Sequence, residues 1–172
     1  AEGNPDSNYG DRTTVYCQSS STSYMDERGW FRFESDDHLP ENPDIKYAGL
    51  RVLVWKGDKD GSVSIECYGS TDDQWSEDNI TWNNQGSLSP SILDSLTIED
   101  DAYYDWFEFN VTSFVSQELQ NDGNFSFILK TGTEGTSTFR TISINSKEFK
   151  MEQAPRLRLY YEGDPDDTEE IT

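Results

Sequence analysis

Residues 47–55 read YAGLRVLVW. Ala48, Leu50, Val52 and Val54 fall on one side of an extended chain, and Arg51, Leu53 and Trp55 fall on the other. This two-residue period predicts a strand with one buried face. GDKDG at 57–61 has turn chemistry, and SVSIECYG at 62–69 alternates again, so the two runs are expected to pair as a hairpin. The same pattern extends upstream. TTVYCQ (13–18) reads as a strand, and so does GWFRFE (29–34), with Phe31 and Phe33 inward and Trp30 and Arg32 outward. Downstream, YDWFEFNVT (104–112) sets Phe107, Phe109 and Val111 on one face, and FSFILKTG, TFRTISIN and APRLRLYYEG continue the set. Pro40 and Pro43 make DDHLPENPD (36–44) a loop. Residues 70–101 are mostly irregular, with room for one short element. SFVSQELQN (113–121) is the helix candidate, with Phe114, Val115 and Leu119 as its apolar side and Asn121-Asp122-Gly123 as its stop. Roughly eight to ten short strands with one short helix predict an all-β fold, a jelly-roll-like antiparallel β-sandwich.

The chain's 172 residues suit one domain. Nine Phe, nine Tyr and five Trp accompany a mean hydropathy of −0.84, an aromatic richness that favours strands. Thirty-four acidic against 13 basic residues give a formal charge of −21, which repels phosphate backbones and excludes nucleic acid as an expected partner. No apolar run reaches the roughly 18 residues that a membrane-spanning helix needs. The AEGNPDSNYG opening suits a mature terminus after signal cleavage and equally an arbitrary boundary of the sequence; a secreted or cell-surface setting is the expectation. Sequons at Asn79, Asn110 and Asn124 are glycosylation candidates in that setting.

Enzymatic signals are sparse. His38 is the only histidine and sits in a polar loop, and no nucleophile elbow, P-loop or dinucleotide fingerprint occurs. The expectation is a non-catalytic protein. Oxygen-rich clusters make Ca²⁺ the metal to consider, with Asn4, Asp6, Asn8 and Asp11 in one cluster and Asp58 and Asp60 in the other. The second also suits a simple hairpin turn. Cys17 shares a face with Val15, and Cys67 with Val63 and Ile65, so both point toward a core. An inter-sheet disulfide is the expectation, and two buried thiols are the alternative. Outward aromatic rings beside arginines offer pyranose faces a stacking surface and acidic sugars a charge partner. Trp30, Arg32, Arg51, Trp55, Tyr103 and Tyr104 are the carbohydrate-binding candidates. The competing reading is that a loop covers these rings as a second layer.

WSEDNITWNNQ at 75–85 resembles the W-x-E-x-x-(I/V)-T-W-N-N-x-P signature of DNRLRE-type domains, which are also classed with a carbohydrate-binding family and resemble disaggregatase-related repeats. NPDSNYGD (4–11), RGWFRFE (28–34), AGLRVLVW (48–55), WFEFNVT (106–112) and PRLRLYY (155–161) resemble further motifs of that family in the same order. Gly86 stands where the family prefers Pro, and Asn110 where it prefers Asp. The resemblance implies a jelly-roll-like sandwich in an extracellular setting, over residues 1–163. It also gives Trp75, Trp82 and Asn83 structural roles.

The family opens with a D-x-Y-(I/V) strand just before its G-N-P-D, and most of that strand is missing ahead of Ala1. The acidic tail, 164–172, ends DDTEEIT, and set before AEGNPDSNYGD it completes a family-like opening. Thr168, Glu169, Glu170, Ile171 and Thr172 are therefore expected to add a strand to another copy, in a homopolymer or a tandem array. A non-catalytic structural subunit of a cell-surface filament or matrix is the function this implies. The alternative is a carbohydrate-binding module recognising an acidic polysaccharide.

Overall fold

A computed structural model describes residues 1–20, 25–35, 39–40, 43–56, 61–162 and 169–172. Strand β3 (Ile45–Trp55) organises it. One edge of β3 pairs with β6 (Tyr103–Asn110), Gly49 facing Asn110 and Leu53 facing Trp106. The opposite edge is shared by two strands in succession. β9 (Arg156–Tyr161) pairs with residues 45–51, and β8 (Arg140–Asn145) takes Val54 and Trp55. β1 (Thr14–Ser19) then pairs with β8, and β10 (Glu169–Ile171) with β9. The first sheet thus forks on this side. The second sheet runs β2 (Gly29–Glu34), β7 (Asn124–Thr131), β4 (Val63–Ser70), β5 (Asp94–Ile98). Every pairing is antiparallel.

The strand periods are realised as sides of one core. Ala48, Leu50, Val52 and Val54 face inward from β3, and Val63, Ile65, Phe125, Phe127 and Leu129 come from the second sheet. All are at most 2% exposed, so removal of apolar surface from water is the main force joining the sheets. Helix α1 (Thr112–Glu118) closes one end with Phe114 and Val115, starting one residue before the expected 113 and ending earlier than 121. β5 is the element inside the irregular 70–101 stretch. The outcome is the expected all-β sandwich with one short helix.

Three expectations are corrected. β3 and β4 are not hairpin partners: they lie in different sheets, and Gly57–Asp60 falls outside the described residues. Alternation reports which face is buried and is silent about which neighbour lies alongside. The cysteines are two free, buried thiols on facing sheets. Cys17 Sγ donates to the Leu129 carbonyl at 3.3 Å, and burial pushes its pKa up to about 12 and raises that of Cys67 as well. Thiols held so far toward the protonated form are poor nucleophiles for disulfide exchange.

The tail is the third. Glu169–Ile171, expected to add a strand to another copy, pair with β9 of their own domain. β9 offers them an open edge, Ile171 packs against the core, and Glu170 meets two arginines. Thr168 lies outside the described residues.

Candidate functional site

The arginine and aromatic candidates separate onto the two outer faces. On the second sheet, Trp30 and Arg32 lie beneath the 73–85 loop. Trp30 meets Trp75 edge-on at 5.6 Å, and its Nε1 donates to Gln85 Oε1 at 3.2 Å. Arg32 Nη1 donates to the Asp73 and Trp75 carbonyls, both at 3.1 Å. Trp75, 9% exposed, donates through Nε1 to Ser126 Oγ at 3.0 Å. This explains why β7 is buried on both faces, with Ser126 and Ile128 as hidden as Phe125 and Phe127. Trp82 lies under the Arg28 guanidinium at 4.7 Å, while Arg28 forks onto Glu134 at 2.6 and 2.8 Å.

The 4–11 cluster serves the same covering layer. Asn8 Nδ2 donates to the Glu77 and Ile80 carbonyls, each at 2.7 Å, and its Oδ1 accepts from Gly10 N. Asp6 Oδ1 accepts from Asn83 Nδ2 at 2.7 Å. A Cβ at Gly10 would collide with the Glu77 carbonyl, so the turn needs glycine for close approach. Asn4 and Asp11 are exposed, and the cluster clamps the loop rather than converging on one point. Asp58 and Asp60, like His38, lie outside the described residues. Three other carboxylates do converge: Asp73, Glu118 and Asp122 bring oxygens within 4.8 Å of one another. Protein donors engage each of them, from Ser126, Asn121 and Asn124. At the sequons, Asn79 and Asn110 are exposed and use Oδ1 to cap the turns at Ser76 and Thr112, and Asn124 is half-buried.

The first sheet's outer face is different. Arg51, Trp55, Tyr103 and Tyr104 come together there, with partners that the sequence reading did not single out. By register, Leu53 and Trp55 extend a line that begins at Tyr47 and passes Gly49 and Arg51. At about 3.4 Å per residue this line spans roughly 27 Å. Trp106 lies beside it on β6, stacked under the Arg51 guanidinium at 4.6 Å and near that of Arg156 at 5.9 Å. Arg156, Arg158 and Tyr160 flank it from β9, and Tyr47 and Tyr160 rings lie 5.9 Å apart. Three of the chain's seven arginines therefore share one face. Arg51 has no carboxylate partner among the described residues. Arg158 is shared between Glu108 at 3.3 Å and Glu170 at 3.1 Å. Glu108 also accepts from Tyr47 Oη at 2.9 Å, and burial together with that carboxylate pushes the Tyr47 pKa up to about 12, keeping it a donor.

At the other end the strip becomes aromatic. Tyr16, Ser143, Trp55 and Tyr103 occupy one cross-strand row. Trp55 stacks on Tyr104 at 6.5 Å and 11°, and Tyr103 meets Tyr104 edge-on at 4.9 Å. Tyr16 and Trp55 are 39% exposed, Tyr104 43% and Tyr103 68%. Tyr104 has a φ of 57°, the only positive value outside glycine among the described residues, where the β3–β6 register slips. A bulge there re-aims the rings, and a strained non-glycine backbone is characteristic of sites where orientation matters. Flat rings in series with guanidinium groups can stack on pyranose faces and hydrogen-bond carboxylate or hydroxyl oxygens. Strand parity in PRLRLYY and YDWFEF already set Arg156, Arg158 and Tyr160, and Trp106 with Glu108, in phase. What it lacked was the pairing that puts both runs beside Arg51.

No curated protein matches the chain. The sequence model of carbohydrate-binding module family 96 matches residues 1–161, nearly the whole sandwich, with both outer faces included. The chain belongs to carbohydrate-binding module family 96.

Proposed function

We propose that this chain is a non-catalytic carbohydrate-binding module of an extracellular protein, and that it holds an acidic polysaccharide along the outer face of its first sheet. The observation that carries this is the continuous strip from Tyr47 to Tyr104, in which the Arg51 guanidinium sits over the Trp106 ring at 4.6 Å with no carboxylate partner among the described residues. Rings supply sequence-tolerant stacking, while planar guanidinium groups recognise planar carboxylates in preference to hydroxyls.

The net charge of −21 opposes a polyanion at long range. At physiological ionic strength that repulsion is screened beyond about 8 Å, whereas contacts at the arginines are not. Binding should therefore be weak in very dilute buffer and best at moderate salt. The pairing of β10 with its own β9 favours this reading over that of a strand-donating filament subunit.

The test is calorimetric titration with a polyuronate oligomer and with a neutral β-glucan oligomer. Trp106→Ala combined with Arg51→Ala should weaken polyuronate binding at least tenfold with a small change in melting temperature. Undiminished binding by that double variant would move the site elsewhere.

A further inference from the structure

Glu170 occupies the cationic part of this face. Its Oε2 lies 2.8 Å from Arg156 Nη1 and its Oε1 3.1 Å from Arg158 Nε, so one carboxylate bridges two guanidinium groups. Glu170 and Arg158 are directly opposed in the β9–β10 ladder, which holds the carboxylate on the outer face. Apart from Glu170, the side chain of Arg156 donates to the Glu152 carbonyl and lies near the Trp106 ring, and that of Arg158 has Glu108 and the Tyr160 ring.

The strand that delivers this carboxylate is short. β10 pairs over three residues, Glu169 with Leu159, Glu170 with Arg158 and Ile171 with Leu157. Ile171 is its one apolar anchor and is only partly buried. An edge strand with so few ladder bonds and so little buried apolar surface belongs to the least stable, most readily opened part of a fold.

We propose that β10 is a built-in competitor for the binding face: Glu170 stands in for the anionic group of a polysaccharide, and an acidic chain gains Arg156 and Arg158 only by displacing it. This rests on the outer face of the first sheet being the binding surface. A carboxylate in the ladder and one on a sugar present the same planar pair of oxygens to the same donors, so they exclude each other. The arginines meanwhile stay paired in the empty module. The strip would then have two parts. Arg51, Trp106 and the exposed rings are open at all times, and the Arg156–Arg158 pair is gated.

The experiment titrates the full chain, Glu170→Gln, and a chain ending at Glu162 with a polyuronate oligomer and a neutral β-glucan oligomer at fixed salt. Asp78→Asn, an exposed carboxylate on the loop over the other sheet, controls for net charge. Glu170→Gln should bind the polyuronate about 3- to 10-fold more tightly and with a steeper salt dependence. The truncation should match or exceed it. Binding of the neutral oligomer, and the behaviour of Asp78→Asn, should match the parent. If Glu170→Gln binds the polyuronate equally or less tightly while Arg51→Ala with Trp106→Ala still abolishes binding, the face is right and the competitor is wrong. If neither the parent nor Glu170→Gln binds any polyuronate, the reading of the face falls and the gate with it. Binding by Glu170→Gln but not by the parent would be the strongest support.

Discussion

The two outer faces of this sandwich carry the same ingredients and do opposite things with them. On the second sheet Trp30 and Arg32 alternate outward from β2, and on the first Arg51 and Trp55 alternate outward from β3. Trp30 and Arg32 are consumed by the 73–85 loop, whose own Trp75 drops into the sheet and whose carbonyls take the arginine's hydrogens. Among the described residues no such loop covers Arg51 and Trp55, so the guanidinium lies over a ring and Trp55 remains 39% exposed. An outward aromatic beside an arginine is thus equally the foundation of a second layer or a place for a ligand. What distinguishes them is whether the chain supplies the covering atoms.

If that contrast is right, the two faces should fail differently. The largest effect is expected at Trp75. Trp75→Ala removes a buried ring and leaves Ser126 Oγ without its indole donor, costing about 3–5 kcal/mol of stability in urea denaturation. Trp106→Ala on the open face should cost about 1 kcal/mol by the same measurement. Equal losses would erase the distinction between a covering ring and a presenting one.

Next comes Asn8, which clamps the covering loop. Asn8→Ala leaves the Glu77 and Ile80 carbonyls without their side-chain donor and should cost about 1–3 kcal/mol. Hydrogen exchange should rise across the 75–85 loop while β3 and β6 keep their protection. Protection lost equally from both faces would show that the loop does not act as a separate layer.

The smallest effect is at Glu118, under the same loop. Burial first, then the neighbouring Asp122 and Asp73, raise its pKa in the folded protein. A raised carboxyl makes the folded state bind more protons than the unfolded one between the ordinary and raised values, so its ionisation subtracts stability as pH rises through that window. Glu118→Gln should therefore melt higher than the parent at neutral pH, and the difference should shrink as pH falls toward the ordinary glutamate value. A difference independent of pH would indicate a change in packing rather than in charge.

The fold was legible to the extent that it depends on period. Phe31 and Phe33, Val63 and Ile65, and Ala48 to Val54 all point where alternation sends them, because the pleat fixes side-chain direction residue by residue. Partnership was not legible. GDKDG has hairpin chemistry, yet β3 and β4 belong to different sheets, since turn residues report a reversal and not which edge the chain returns to. The site shows the same division. Arg51, Trp55, Tyr103 and Tyr104 were identifiable as outward groups, whereas Trp106, Arg156 and Arg158 became part of the site only through register across β3. The tail misled for a related reason. Its last residues have the makings of a strand, but a nearby open edge in the same chain and two arginines in register gave it a partner at home.

The most direct test uses the five tryptophans as reporters, since they divide between the faces. Trp55 and Trp106 belong to the open strip, and Trp30, Trp75 and Trp82 to the covered side. Each indole N–H gives its own signal in a ¹H–¹⁵N correlation spectrum. On titration with a polyuronate oligomer at moderate salt, the Trp55 and Trp106 indoles should shift and saturate together while the other three stay in place. Shifts at Trp30, Trp75 or Trp82 with Trp55 and Trp106 unmoved would contradict the assignment of the first sheet as the binding face.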